Sequence, residues 1–190
     1  MLGGITHSVT AHSIMKNILC MQLLLIFPVV LSGQVPESAN VQRAEMKKLE
    51  WMVGNWKGTG WAEMGPQGRK EFTQTETIQS KVDGLVLVVE GRGESKDNGS
   101  TLHNTWAFVS YDERIQTFHW RSFTGEGRLT DAKTTVNAEM VQWEFQMPQL
   151  GRFRYTRTRT EKGECFVMGE REEDNHTWHK LIEYTLRRQQ

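Results

Sequence analysis

The feature of this sequence that most constrains its fold is a succession of short β-type segments after residue 83. Apolar and polar residues alternate in them, and turn residues separate them at intervals of about 8–12 residues. The clearest segments are GLVLVVEGRG, NTWAFVSYD, IQTFHWRSF, TVNAEMVQWEFQMP, GRFRYTRTRT, GECFVMGEREE and HTWHKLIEYTLRR. Because period-two alternation is typical of half-buried strands, the sequence predicts about eight to ten strands and very little helix.

Short turns between consecutive strands predict an antiparallel meander. Many of the strands carry one apolar and one polar face, which suits a single sheet that buries one side. Closure of such a sheet removes the exposed edges that would otherwise promote aggregation. We therefore predict an all-β fold, an antiparallel up-and-down β-barrel of about 8–10 strands. The segment ESANVQRAEMKKLEWM predicts a short N-terminal helix before the first strand.

The N-terminal residues have the pattern of an export signal. Met15 and Lys16 precede the uncharged apolar run NILCMQLLLIFPVVLSG, which ends in small residues. A basic start, a short apolar stretch and a small-residue exit indicate a secretory signal peptide. We assign residues 1–33 to this signal peptide, with Met15 as an alternative start, residues 34–44 to a flexible linker and residues 45–190 to the barrel domain. The expected location is secreted or periplasmic, without a stable membrane anchor after processing.

Charge balance, cysteine content and missing motifs give no support to several classes of protein. Acidic and basic side chains balance at 23 each, so there is no basic excess that would favour nucleic acid as a partner. Cys20 lies in the signal peptide, which leaves Cys165 alone in the mature domain, and we interpret it as a small buried apolar residue. No nucleophile elbow and no phosphate-binding glycine loop occurs in the sequence.

The stretch LEWMVGNWKGTGW, residues 49–61, contains three tryptophans and three glycines. Its G-x-W motif, which follows a predicted helix and opens the first strand, resembles the start of calycins, the lipocalin-like barrels. The longer G-x-W-x-G-x-G pattern resembles the nitrobindin family of haem-binding barrels, and the layout also resembles bacterial secreted proteins with an LVGxW-type start. The resemblance implies that Trp56 plugs one end of the barrel against an arginine of the last strand. Arg187 is the partner we select, and Arg188 is the neighbouring alternative.

The nitrobindin resemblance also implies an alternative cofactor, haem, held by a histidine near the C-terminus. His176 and His179 are the candidate ligands. His176 falls in the predicted turn, and the orientation of His179 depends on the strand register, because a slip of one residue moves every side chain to the other face. Our first expectation is no cofactor and no metal.

Aromatic and ionisable residues on the predicted strands are the candidates for a barrel cavity. A carboxylate at the end of an apolar strand, an arginine beside aromatic residues, or a histidine could orient a ligand or act as an acid–base group. The candidate cavity residues are Trp61, Glu76, Glu90, His103, Trp106, Trp120, Trp143, Tyr155 and Arg157.

The function expected from this fold is the binding of a small, mainly apolar ligand inside the barrel, rather than catalysis. Two alternatives remain open: nitrobindin-like haem binding, and a barrel enzyme with a cavity carboxylate or His103 as its acid–base group. The large side chains also fit a barrel with a filled interior, because small barrels pack aromatic residues in their core.

Overall fold

The computed structural model describes residues 37–190; the predicted signal peptide lies outside the described residues. A short α-helix, α1 (Glu37–Met46), continues into a 3-10 helix (Lys47–Met52), and a single 3-10 turn (Gly65–Gln67) follows the first strand. The strands are β1 (Gly54–Glu63), β2 (Arg69–Lys81), β3 (Val86–Ser95), β4 (Thr101–Asp112), β5 (Thr117–Thr124), β6 (Leu129–Val136), β7 (Met140–Met147), β8 (Gly151–Arg159), β9 (Cys165–Glu172) and β10 (Trp178–Arg188).

The ten strands form a closed antiparallel barrel, which confirms the predicted fold class. Each strand pairs with the next one along the chain, and β1 pairs with β10 to complete the ring. Inward-facing positions alternate with outward-facing ones, as in the inward series Phe72, Gln74, Glu76 and Ile78 of β2. Among residues 37–190, no helix combines the length and apolar character needed to cross a membrane.

The N-terminal helices close one end of the barrel. Helix α1 begins at Glu37, so it occupies most of the segment that the sequence analysis assigned to a linker. The 3-10 helix buries Leu49 and Met52 completely, and extended backbone at Val53 ends it just before β1. We call this the closed end, and we call the opposite end, which carries Glu63 and Trp178, the far end.

Trp56 occupies the closed end, and its partner is Arg188 rather than the predicted Arg187. The Trp56 indole is buried and donates a hydrogen bond to the Met52 carbonyl oxygen. The Arg188 guanidinium lies 4.5 Å from the centre of the indole ring. Leu186 faces inward, so Arg187, the next residue, faces outward and donates a hydrogen bond to Glu164. Arg188 is again on the inner side, at the end of the barrel. The choice of Arg187 was wrong by one residue.

The last strand contains an irregularity that the alternating sequence hides. The pairing of β10 with β9 shifts by one residue between Lys180 and Ile182. The even spacing of apolar residues predicts Trp178 on the inner face with Ile182. The shift instead places Trp178 outside, where the Arg154 guanidinium lies 4.0 Å from its ring centre.

Candidate functional site

A cavity of about 100 Å³ lies inside the barrel, on the far-end side of the plug. One part of its wall is aromatic, and the other part carries polar groups from β2, β4, β5, β8 and β10. The aromatic lining residues are Trp120, Trp143, Phe145 and Tyr155, and the polar ones are Glu76, His103, Thr105, Ser122, Thr124, Arg157 and Tyr184. A cavity with one stacking wall and several converging polar groups has the general character of a small-molecule site.

The aromatic wall is a stack of side chains from three strands. Trp120 and Trp143 are nearly parallel, with ring centres 4.0 Å apart, and Tyr155 continues the stack 5.5 Å from Trp143. Trp120 and Trp143 lie on β5 and β7, which are separated by β6. The intervening strand places Ala132 beside Trp120 and Thr134 beside Trp143, and these small side chains leave room for the two indoles to meet.

The polar part of the cavity is built on a buried ion pair. Arg157 Nη2 lies 2.6 Å from Glu76 Oε2, and both side chains are only 2% exposed. The other carboxylate oxygen of Glu76 accepts a hydrogen bond of 3.0 Å from the Tyr184 hydroxyl and one of 3.4 Å from Gln74 Nε2. Arg157 Nη1 donates to Cys165 Sγ at 3.5 Å. These bonds connect β2, β8, β9 and β10 across the interior.

The ion pair leaves this part of the cavity with a neutral total charge. Burial, and then the negative charge of Glu76, raise the pKa of Tyr184 well above its usual value, so its hydroxyl stays protonated and donates. Burial likewise raises the pKa of the Cys165 thiol. Two buried polar atoms of the cluster, Arg157 Nε and Gln74 Oε1, have no hydrogen-bond partner among the described residues. Buried polar atoms without a protein partner are usually satisfied by an ordered water or a bound molecule, and of these two residues Arg157 lines the cavity.

His103 adds a neutral ring to the cavity wall. One ring nitrogen lies 2.7 Å from the hydroxyl of Thr105, two residues along β4 on the same inner face. Burial lowers the pKa of His103, and the negative charges of Glu76 and Glu126 oppose this effect only in part. The imidazole is therefore neutral at pH 7 and offers a hydrogen-bond donor and an acceptor rather than a charge.

Comparison with known proteins places the chain in a family. Residues 42–188 match the family described as "Protein of unknown function (DUF1579)". The chain belongs to the DUF1579 family. The solved structure described as "Crystal Structure of Rv2717c from M. tuberculosis" has a similar fold, with a TM-score of 0.58 and 12% sequence identity over 76% of this chain and 97% of that one. No curated protein matches the sequence.

Six of the nine predicted cavity residues line the cavity of this DUF1579 barrel. They are Glu76, His103, Trp120, Trp143, Tyr155 and Arg157. The other three face outward because each lies next to an inward residue in the alternation. Trp61 follows inward Gly60 and lies under the Arg69 guanidinium; Glu90 follows buried Val89. Trp106 precedes buried Ala107 and is 42% exposed, on an outer face shared with Phe108 and Phe123.

The two C-terminal histidines do not fit haem in the DUF1579 chain. His176 lies in the turn after β9 with an 88% exposed side chain and bonds Glu172. His179 lies at the far end, where its ring nitrogens face Glu63 at 2.9 Å and Glu173 at 3.8 Å. Neither lines the cavity, whose volume of about 100 Å³ is far below that of a porphyrin. Within residues 37–190, no three His, Cys, Asp or Glu side chains converge as a metal site.

The sequence analysis does not identify several polar residues of the cavity and of its ion-pair cluster. Thr105, Ser122, Thr124 and Tyr184 line the cavity, and Gln74 belongs to the cluster through its bond to Glu76. Gln74 is fully buried in the middle of β2, between inward Phe72 and Glu76. A polar residue at an inward position of an otherwise apolar alternation is the signal that identifies such a group, because burial of an unpaired amide is costly.

Proposed function

We propose that this barrel binds a small, neutral, planar molecule in its internal cavity. The observation that carries the proposal is the arrangement of the lining, in which a stacked aromatic wall is combined with a set of polar groups around one internal space. Aromatic side chains bind the face of a planar ligand, and the polar groups fix its orientation. The chain's fold resemblance to a solved barrel supports the scaffold and not the ligand.

The volume of the cavity limits the size of the ligand. An apolar cavity of about 150 Å³ holds one benzene molecule. A cavity of about 100 Å³ therefore suits a single five- or six-membered ring, with small movements of the lining. Long-chain molecules such as fatty acids and retinoids do not fit a space of this volume. The expected ligand is thus smaller and more polar than the sequence analysis predicts.

The charges of the lining favour a neutral ligand. Glu76 and Arg157 compensate each other, and His103 is neutral because burial lowers its pKa. An ionic ligand would bring an uncompensated charge into a poorly solvated space, which is unfavourable. The hydroxyls of Thr105 and Ser122 and the His103 ring supply hydrogen bonds to a neutral polar group.

The test is a titration with phenol, followed by intrinsic tryptophan fluorescence and thermal unfolding. Phenol should quench the stacked pair Trp120–Trp143 and raise the melting temperature. Ser122→Leu, which fills the cavity from β5, should abolish both effects. Ser110→Leu is the matched control, because Ser110 lies beside buried Val109 and faces outward on β4. Equal responses of the two variants, or none from the unmodified protein with phenol, pyridine and imidazole, would refute the proposal.

We also propose that binding takes place outside the cytoplasm. The proposal rests on the N-terminal sequence, with its basic start, apolar run and small residues Ser32 and Gly33. The full chain should be recovered from the periplasm or medium of a bacterial host, with its N-terminus close to residue 34. Recovery from the cytoplasm with residues 1–33 still attached would refute it.

A further inference from the structure

The wall of the barrel is incomplete between β6 and β7. These strands are paired at only four positions, from Lys133–Glu144 to Val136–Val141, whereas every other pair of neighbouring strands is matched at six or more. Residues 129–132 of β6 and 145–147 of β7 have no partner across this boundary. We call this unpaired part, on the far-end side, the seam.

A groove of about 630 Å³ lies on the outside of the seam. It is lined by outward residues such as Asp131 and Glu144, and also by Thr134 and Phe145, which belong to the inward series of their strands. In an intact sheet a surface groove reaches only the outward series. Phe145 lines both the groove and the internal cavity, so its ring is the partition between them.

We propose that the seam is the route by which the ligand reaches the cavity, and that Phe145 is the gate. The inference rests on the proposed function, because it concerns access to the same cavity. The Phe145 ring is half-buried and stacks on Phe153 and Tyr155 at 5.6 and 6.0 Å between ring centres. Rotation of this ring toward the groove opens the cavity without breaking a backbone hydrogen bond, since the ladder at the seam is already absent.

The closed end and one side of the far end are less suitable as routes. The closed end is filled by Leu49, Met52 and Trp56, which are at most 3% exposed. Toward the far end, β2, β8 and β10 contribute Phe72, Phe153 and Ile182, which are at most 9% exposed. Packed side chains of this kind transmit a ligand only if several of them move together, whereas the seam requires the movement of one ring. On β4 and β5 the cavity ends at His103 and Thr124, so this side of the far end is the competing route that the experiment below must separate from the seam.

The character of the seam agrees with the ligand class proposed above. The groove presents Thr130, Gln142 and Gln146 beside the charged pairs of Asp131 with Arg121 and Glu144 with Arg152. A neutral molecule with hydrogen-bonding groups can replace its hydrogen bonds to water with hydrogen bonds to these polar side chains. Its ring can then pass along the Phe145 face into the aromatic stack.

The experiment measures solvent exchange of the seven tryptophan indole N–H groups by NMR in the full chain. Phe145→Ala should accelerate exchange at Trp143 and Trp120 several-fold and leave Trp56, at the plugged end, unchanged. Phe145→Leu, which disturbs packing less, should give a smaller acceleration in the same residues. Phe123→Ala is the matched control, because Phe123 is an exposed aromatic on the outer face.

The outcomes separate the route from the proposed function. Equal exchange at Trp143 in the Phe145 and Phe123 variants, or acceleration produced instead by Thr124→Ala at the far-end side of the cavity, would overturn the gate. Phenol association, measured on the same samples, should be faster in Phe145→Ala than in the unmodified protein. If phenol binds no variant, the proposed function fails, while the exchange rates at Trp143 still decide whether the seam gives access.

Discussion

Glu76 and Arg157 are buried charges inside a largely apolar barrel, and each is acceptable there only because of the other. The carboxylate receives bonds from Arg157, Tyr184 and Gln74, so the cluster satisfies most of its own polar groups. Such a pair contributes little net stability compared with apolar residues of the same volume, but the loss of one partner is costly. The arrangement therefore fixes the geometry of the cavity more than it stabilises the fold.

Breaking this pair should have a large and non-additive effect. Glu76→Gln should lower the free energy of unfolding by about 3–5 kcal/mol, because it leaves the Arg157 charge buried without compensation. Glu76→Met combined with Arg157→Met should cost less than the sum of the single changes. Urea denaturation measures all variants. Glu71→Gln, whose partner Lys96 is 41% exposed, is the matched control and should change stability by less than about 1 kcal/mol. Additive losses in the double variant would contradict this account.

His103 should make the protein less stable in mild acid. Its pKa is lowered by burial, so below the ordinary value of 6.5 the unfolded chain binds a proton that the folded protein resists. The stability that depends on neutral His103 is complete above pH 6.5 and decreases as the pH falls from 6.5 toward the lowered pKa of the folded state.

The variant His103→Gln tests this directly. Denaturation at pH 7.5 and pH 5 should show a smaller acid-induced loss of stability in His103→Gln than in the unmodified protein. His179→Gln, a change in a 41% exposed ring at the far end, should retain the full loss. An identical pH dependence in His103→Gln and the unmodified protein would show that His103 does not contribute.

The plug at the closed end gives a comparison between adjacent residues. Arg188 lies over the Trp56 ring and donates to the backbone carbonyls of Val53 and Trp51, whereas Arg187 has a 76% exposed side chain. Arg188→Ala should lower the free energy of unfolding by about 1–2 kcal/mol, and Arg187→Ala by less than about 0.5 kcal/mol. The comparison uses thermal or urea unfolding. A larger loss of stability in Arg187→Ala than in Arg188→Ala would support Arg187, the partner predicted from the sequence, as the residue that packs against Trp56.

At the scale of elements, the glycines of β1 determine how closely the first and last strands approach. A Cβ atom at Gly58 would lie 1.8 Å from the Thr185 carbonyl oxygen, and one at Gly60 would lie 2.1 Å from that of Glu183. Both obstacles are backbone atoms, so no side-chain rotation relieves them. The last two glycines of the G-x-W-x-G-x-G pattern are therefore a requirement of the β1–β10 contact as well as part of a sequence signature.

Gly58→Ala should consequently weaken the closure of the barrel. We expect a loss of several kcal/mol, because the strands must separate to accept the methyl group, together with faster amide hydrogen exchange along β10. Gly125→Ala is the control, since the nearest atom to its added Cβ is a side-chain carbon of Asn104 at 3.4 Å, an ordinary contact. Normal β10 protection in Gly58→Ala would show that the strands do not need this glycine.

The sequence was sufficient to predict where the strands lie. It predicted which side chains face the interior only in strands whose alternation is regular. Arg157 and Tyr155 share the inner face of β8 as the sequence indicates, because nothing interrupts that strand. Trp178 does not follow its pattern, because the irregularity between Lys180 and Ile182 has no signature in the residue types. The inward position of Gln74 follows from the alternation of β2, but the cluster to which it belongs does not, because Arg157 and Tyr184 meet Glu76 only when the barrel closes.

At the scale of the whole molecule, the closed barrel follows from the number of strands and the short turns between them. Sequence reasoning reaches that conclusion because each strand pairs with its neighbour along the chain. The cavity does not follow in the same way. Its size depends on how the inward-facing side chains of ten strands pack against one another. It also depends on the small residues Ala132 and Thr134, which allow the indoles of Trp120 and Trp143 to stack. Fold resemblance adds the scaffold but no ligand, since one fold serves many functions.

The pairing of β1 with β10 also has a consequence for the order of folding. Trp56–Ala62 lies opposite Arg188–Ile182, so the ring is completed by segments at the two extremes of the barrel sequence. Contacts between such distant segments form late, because the entropy of closing the intervening loop must be overcome first. During folding, β1 therefore keeps one unpaired edge until β10 reaches it. A chain that ends before Ile182 keeps that edge exposed, and such edges are sites of aggregation.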